Sequence, residues 1–238
     1  MRRYIDLGID SRIQGLGGLE EMIEIGCSMD FAVLGVKLDP QVGSQGIQLL
    51  RRLSQKYGVD LVPRVDLMPR SRTHLLRDLG KFRDIFEVIA VRAASEHLCK
   101  LAVQDDRVDL ISLASRASAQ AFSPSAARLI APNGKGVEIE LSSLILSKGQ
   151  NRVDLLHEMS RRISLGRRFK ANLIISSGAV NKYLIRSPFD LASMACLISM
   201  EFTEALDCLS MIPETIVDRN QVRLGPRYIS PGVELTEV

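Results

Sequence analysis

Five carboxylates stand where a chain of alternating strands and helices would gather them. Asp6 and Asp10 flank the end of the first apolar run, Asp66 closes the third, and Glu138 and Glu140 lie in a late one. Carboxylates brought toward one barrel mouth are the material of general acid–base or metal-assisted chemistry. A hydrolytic metal site also calls for imidazole, yet His74, His97 and His157 each stand alone in helix-like segments without an HxH or HxxxH partner. Cys27, Cys99, Cys196 and Cys208 form no CxxC pair and read as buried, reduced thiols. Most of the carboxylates therefore read as buried or helix-capping groups.

The cations are less evenly spread. Residues 51–100 and 149–200 each carry a charge of +5, whereas residues 201–238 carry −4, within a net charge of +3. The densest basic stretch holds Arg161, Arg162, Arg167, Arg168 and Lys170, followed by Lys182 and Arg186. Two readings stay open: a polyanion-binding face, or a solvated helix face on which Glu158 pairs with Arg161 or Arg162 three and four residues on.

Two short motifs carry the same ambiguity. Ser187-Pro188-Phe189-Asp190 is a helix start, with a capping serine, a first-turn proline and a carboxylate that reaches back. Arg186 just before it makes an anion site conceivable, because free N–H groups and the helix dipole favour phosphate; a plain cap is the alternative. Ser176-Ser177-Gly178-Ala179 follows a strand, where barrel enzymes hold phosphate, and serves equally as a tight turn. Gly15-Leu16-Gly17-Gly18 lacks the full dinucleotide fingerprint and reads as the loop opening a helix over Leu19–Cys27.

The elements that must position these groups are legible as apolar, β-branched runs: Tyr4–Leu7, Phe31–Val36, Val59–Leu67, Ile85–Val91, Val108–Leu113, Ala127–Ile130, Val137–Ile145 and Leu173–Ile175. Runs rich in Val and Ile on both parities suit strands buried on both faces. Between most of them lie amphipathic segments, such as one with Val153, Leu156, Met159 and Ile163 on its apolar side. Strands alternating with helices make a parallel sheet, and seven or eight such units in 238 residues predict an irregular (β/α) TIM-like barrel of one domain. From Pro213 the prolines and alternating polar residues predict an extended tail, so the expected division is a barrel over 1–212 and a tail over 213–238. With 46% hydrophobic and 25% charged residues, no signal-like start and no long apolar run, the composition is that of a soluble, cytoplasmic globular protein.

Several of these pieces together resemble the protein component 3 family of archaeal ribonuclease P, related to a subunit of the eukaryotic enzyme. They are Tyr4-Ile5-Asp6-Leu7, Val108–Leu113, Val137-Glu138-Ile139-Glu140, the Ser176–Ala179 loop and Arg186-Ser187-Pro188-Phe189-Asp190-Leu191. The resemblance runs nearly end to end and implies a barrel similar to the PHP metal-dependent phosphoesterases. Those enzymes open with Asp-Leu-His-x-His and close with Asp-Ala-His; here the positions read Asp6-Leu7-Gly8-Ile9-Asp10 and Gly178-Ala179-Val180. Glycine and valine offer no ligand atom, so the resemblance implies a barrel that kept its fold and lost its metal chemistry.

On that reading the chain holds no catalytic residue, metal or other cofactor, and Mg²⁺ serves the RNA of the holoenzyme. The partners it implies are the catalytic RNA, component 2 and other holoenzyme proteins, with precursor tRNA as substrate and no membrane. Expected RNA contacts are Arg161, Arg162, Arg167, Arg168, Lys170 and Arg186, with Ser176, Ser177 and Gly178 through the backbone and Arg92 at a strand end. The competing expectation is a PHP-like or phosphosugar barrel enzyme working by metal-assisted hydrolysis.

Overall fold

The computed structural model describes residues 2–13, 15–41, 43–225, 228–230 and 233–234. Seven parallel strands follow one another around the sheet in sequence order: β1 (Tyr4–Asp10), β2 (Phe31–Lys37), β3 (Asp60–Leu67), β4 (Val88–Val91), β5 (Leu110–Ser112), β6 (Gly136–Glu140) and β7 (Asn172–Ser176). Helices α1 (Gly15–Ser28), α2 (Gly43–Tyr57), α3 (Arg72–Phe82) and α4 (Glu96–Gln104) fill the first four crossovers. Two short helices, α5 (Arg116–Ala121) and α6 (Pro124–Ile130), precede β6, and α7 (Ser142–Leu146) with the long α8 (Gly149–Arg168) precedes β7. After β7 come α9 (Pro188–Cys196), α10 (Phe202–Asp207) and α11 (Met211–Leu224). An antiparallel pair, β8 (Tyr228–Ser230) with β9 (Val233–Glu234), follows.

The barrel is nearly closed. β1 and β7 share no ladder, and other groups fill the seam between them. The Ile5 N–H, at the start of β1, donates to the Leu209 carbonyl at 2.8 Å, and the Ile175 N–H of β7 to the Cys208 carbonyl at 3.2 Å. Toward the strand ends, the Asp10 N–H donates to the Ala179 carbonyl at 2.8 Å. Backbone donors left over from the missing ladder are thus satisfied, as burial requires.

Two apolar layers hold the strands. Inside, Ile5, Leu7, Val33, Val62, Val88, Ala90, Leu110 and Ile174 pack together with Ile216 and Val217 of α11. Outside, the facing sides of the helices pack on the other parity of the strands, as with Val36, Val65 and Ile111, and on Ile9, which a register shift in β1 turns outward. Each such buried aliphatic side chain contributes about 1.5–3 kcal/mol relative to exposure.

The structure corrects five expectations, the first being that Gly15–Gly18, read as a loop, is the opening turn of α1. Ala127–Ile130 is the end of α6, because Ser123 caps it and Pro124 opens it; Ala126, Ala127 and Ile130 then bury one helical face. Val137–Ile145 is divided, with the strand ending at Glu140 and α7 beginning at Ser142. Cys196 is exposed, while Cys99 and Cys208 are buried and their thiols are pushed up to about 12 by desolvation. The expected tail from Pro213 is a helix as far as Leu224. Pro213 falls in the first turn of α11, where its missing N–H costs nothing, and α11 packs on β1, β4 and β7. Pro226 and Pro231 lie outside the described residues.

Candidate functional site

The C-terminal ends of the strands form a mouth crossed by ion pairs. Arg64, in β3 and wholly buried, donates from Nε to Asp66 Oδ1 at 2.7 Å and from Nη1 to the Leu7 carbonyl at 2.8 Å. Its two terminal nitrogens also form a fork on the Glu138 carboxylate, with Nη2 2.6 Å from Oε2. Lys37, the last residue of β2, donates to Glu140 Oε1 at 2.6 Å. Arg92, just past β4, reaches the same oxygen at 3.0 Å and lies 2.8 Å from Asp66 Oδ2. Hydroxyls complete the set: Ser112 donates to Glu140 at 3.2 Å and Ser176 to Glu138 at 2.9 Å.

Burial by itself would raise the Asp66 and Glu138 carboxyls. Arg64 and Lys37 outweigh it and hold both below the ordinary carboxylate range, with Arg92 adding to the effect on Asp66. Arg64 is held above its ordinary value by Asp66 and Glu138 in spite of its own burial. Asp6 is the exception: burial raises its carboxyl, against hydrogen bonds from Ser177 and Gly8 that favour the charged form. Its Oδ1 accepts the N–H of Gly8 at 2.9 Å and that of Ser177 at 3.0 Å, and its Oδ2 is buried without a partner. Asp10 sits at the rim in a fork with Arg12, which keeps its carboxyl low although burial opposes this.

These residues do not fit a metal centre. Lys37, Arg64 and Arg92 stand on Asp66, Glu138 and Glu140, taking the oxygen positions that a divalent ion would need. The histidines are elsewhere, on α3, α4 and α8. Gly8 could not be exchanged for a ligand either: a Cβ there would lie 2.7 Å from Ser176 Oγ and 2.8 Å from the Gly178 nitrogen. Among the described residues no group of three or more His, Cys, Asp and Glu has the placement of a metal site.

Three expected RNA contacts therefore change role. Ser176, Ser177 and Gly178 are buried, with the Ser176 hydroxyl on Glu138 and the Ser177 N–H on Asp6, so they present no surface to a phosphate. Gly178 has φ +63°, and a Cβ there would meet Ser142 Oγ at 2.7 Å, which explains glycine by close packing. Arg92 belongs to the mouth network. Arg186 donates from Nη1 to the carbonyls of Tyr183 and Ile185, both at 2.8 Å, and so braces its own turn. Ser187 caps α9 by accepting the Asp190 N–H at 3.1 Å, the plain-cap reading of that segment.

The basic stretch divides in the same way. Arg162 pairs with Glu158 and donates to the Phe122 carbonyl at 3.0 Å. Arg167 forms a fork on Glu204 of α10. Arg161, Arg168 and Lys170 have no carboxylate within ion-pair distance among the described residues, and all three are exposed. Arg168 lies over the Phe169 ring, 5.5 Å from its centroid. Beside Pro124, a surface groove of about 480 Å³ is lined by His157, Ser160, Arg161, Arg162, Ser164 and Arg168 and has no carboxylate in its wall. The adjacent hollow, about 510 Å³, includes Asp154 and Glu158 with its arginines. Only the first suits an anion.

Arg64 and Lys37 are the residues that sequence reasoning missed. A signal for them existed: a cation inside a run that is otherwise buried on both faces must find a buried carboxylate, and Glu138 and Glu140 interrupt a late strand in the same fashion.

Fold and site together define a (β/α)-barrel protein whose mouth is filled by its own ion pairs and whose open polar surface lies on an outer helix. The family model described as RNase P subunit p30 matches residues 10–224, and the chain belongs to that family. Ribonuclease P protein component 3 of Methanosarcina barkeri is 30% identical over 173 residues, 73% of this chain and 72% of that protein. Its counterpart in Methanococcoides burtonii is 26% identical over 99% of this chain and 95% of that protein. A chain in the cryo-EM structure of archaeal ribonuclease P with mature tRNA shares the fold, with a TM-score of 0.84 at 21% identity and 98% coverage of both chains.

Proposed function

We propose that this chain acts in ribonuclease P as a binding subunit, supporting the catalytic RNA while the RNA removes the 5′ leader of precursor tRNA. The observation that carries this reading is the occupation of the barrel mouth: Arg64, Lys37 and Arg92 stand on every carboxylate there except Asp6 and the rim residue Asp10. Such a mouth has no open ligand set, and Asp6, its carboxyl without a cation, is wholly buried, which disfavours the reading as a PHP-like or phosphosugar enzyme. The RNA contacts belong to the carboxylate-free groove on α8, through Arg161 and Arg168, with Lys170 beyond its end. Component 2 is the expected protein partner, the cytoplasm the compartment, and Mg²⁺ a requirement of the RNA rather than of this chain.

Among the described residues, no helix is long and apolar enough to cross a membrane. The test is to titrate ribonuclease P RNA with the purified chain at several salt concentrations and to assay precursor-tRNA cleavage by the chain alone and in the reconstituted particle. Salt-dependent binding, stimulation in the particle and no cleavage alone are expected. Chelator-sensitive cleavage by the chain alone would overturn the reading.

A further inference from the structure

The other polar extreme of the molecule lies on α9 and α10. From Ser187 to Asp218 the chain has six carboxylates, Asp190, Glu201, Glu204, Asp207, Glu214 and Asp218, and no Lys, Arg or His. Cations from elsewhere neutralise four of them: Arg167 on Glu204, Arg2 on Asp207 at 2.7 Å, and Arg3 on Glu214 at 3.5 Å and Asp218 at 3.4 Å. Asp190 and Glu201 are exposed and have no cationic partner among the described residues.

Each of these two carboxylates is the sequence neighbour of an exposed aromatic ring. Phe189 is 51% exposed and Phe202 39%. They stack with centroids 6.4 Å apart, and Tyr4 of β1 meets Phe189 edge-on at 5.7 Å. This is a row of three rings in a chain that has only eleven Phe and Tyr residues and no Trp. Leu197, just past α9, is exposed as well. Two exposed rings backed by the half-buried Tyr4, beside carboxylates that have no cation among the described residues, are the composition of an interface rather than of an ordinary solvated surface.

We propose that the Tyr4–Phe189–Phe202 row, flanked by Asp190 and Glu201, docks a second protein that presents apolar side chains within a rim of lysine or arginine. Charge chooses this occupant. RNA and an anionic lipid surface would set phosphates against Asp190 and Glu201. A second copy of the chain, meeting through the same patch, would oppose these carboxylates to themselves, because a two-fold contact is self-complementary. A basic protein surface gains on both counts, burying the rings and pairing the carboxylates. Arg167–Glu204 joins α8 to α10, so the docked protein would lie next to the RNA-facing helix.

The test uses the full chain and, as probes, the other purified protein subunits of ribonuclease P from the same organism, so it rests on the family reading for its choice of probe. Pairwise affinity is measured by fluorescence anisotropy and complex size by sedimentation. Wild type is expected to bind one of these subunits, and Phe189→Ser with Phe202→Ser to weaken that affinity at least tenfold. Phe189→Leu should keep most of it. Glu201→Lys, a change at an exposed side chain, should weaken it about threefold and flatten its salt dependence. Affinity for ribonuclease P RNA should be the same in all three variants, and circular dichroism should match wild type. Protein affinity unchanged in the double variant overturns the proposal, as does a loss of RNA affinity instead, or a wild-type dimer that the double variant dissolves. A wild-type chain that binds the RNA but no subunit overturns this surface and leaves the RNA reading standing; one that binds neither overturns both.

Discussion

The Asp6 carboxylate accepts the N–H of Ser177 at 3.0 Å, across the gap where β1 and β7 form no ladder. The same oxygen takes the Gly8 N–H from its own strand at 2.9 Å, so one side chain substitutes for backbone acceptors on both sides of the seam.

Asp6→Asn should therefore cost little stability, since the amide oxygen can accept both N–H groups. Asp6→Ala should cost about 2–4 kcal/mol by leaving two buried donors unmet. The raised carboxyl fixes the sign of the pH effect: its contribution is present below the unfolded value and lost as pH rises through the folded one. Urea unfolding at pH 4 and pH 7 checks this, with Asp6→Asn gaining on wild type only at the higher pH. An Asn variant as unstable as Ala would show that the charge itself is needed.

Arg64 is the centre of the mouth, and its loss leaves Asp66 and Glu138 buried with half their partners. Arg64→Met should destabilise by about 3–5 kcal/mol. Arg64→Lys should recover part of this, keeping the charge without the fork. Because Asp66 and Glu138 are held low in the folded chain, their stabilisation is present above about pH 4, the unfolded range, and is lost as pH falls below it. Thermal melts from pH 3 to 7 should show that acid loss in wild type and a flatter profile in Arg64→Met.

Gly8→Ala should destabilise by about 1–3 kcal/mol, because its Cβ would press on Ser176 and on the backbone of Gly178. Gly8→His should be worse and should bind no metal. A Gly8→His protein that melts like wild type and holds stoichiometric Zn²⁺ by elemental analysis would refute the packing account of this glycine.

Arg161→Ala with Arg168→Ala should weaken ribonuclease P RNA binding and make the slope of log affinity against log salt shallower by about 2, taking the duplex DNA coefficient for each lost phosphate contact. Arg162→Ala and Arg167→Ala should leave that slope alone, because their guanidinium groups are engaged by Glu158, the Phe122 carbonyl and Glu204. Equal slope changes from all four substitutions would mean that the ion pairs open on binding and that the whole stretch faces RNA.

The alternation of Val- and Ile-rich runs with amphipathic segments determined the barrel, its parallel strands and the cap at Ser187, because propensity, periodicity and capping act over a few residues. Such signals fail where a longer-range contact chooses between states. Ala127–Ile130 could pair as a strand but buries one face as a helix, and Pro213 reads as a breaker until α11 is seen to need only its first turn there. The division of the arginines was beyond any local signal. Arg161 and Arg162 are neighbours of one type, yet one faces solvent and the other is tied to Glu158 and Phe122. Likewise, whether Asp66, Glu138 and Glu140 were open ligands or closed pairs depended on Lys37, Arg64 and Arg92, which arrive from β2, β3 and the end of β4. Closing the barrel places these charges within hydrogen-bonding distance in a buried site, and burial then requires each charge to find a partner or give up its ionised form.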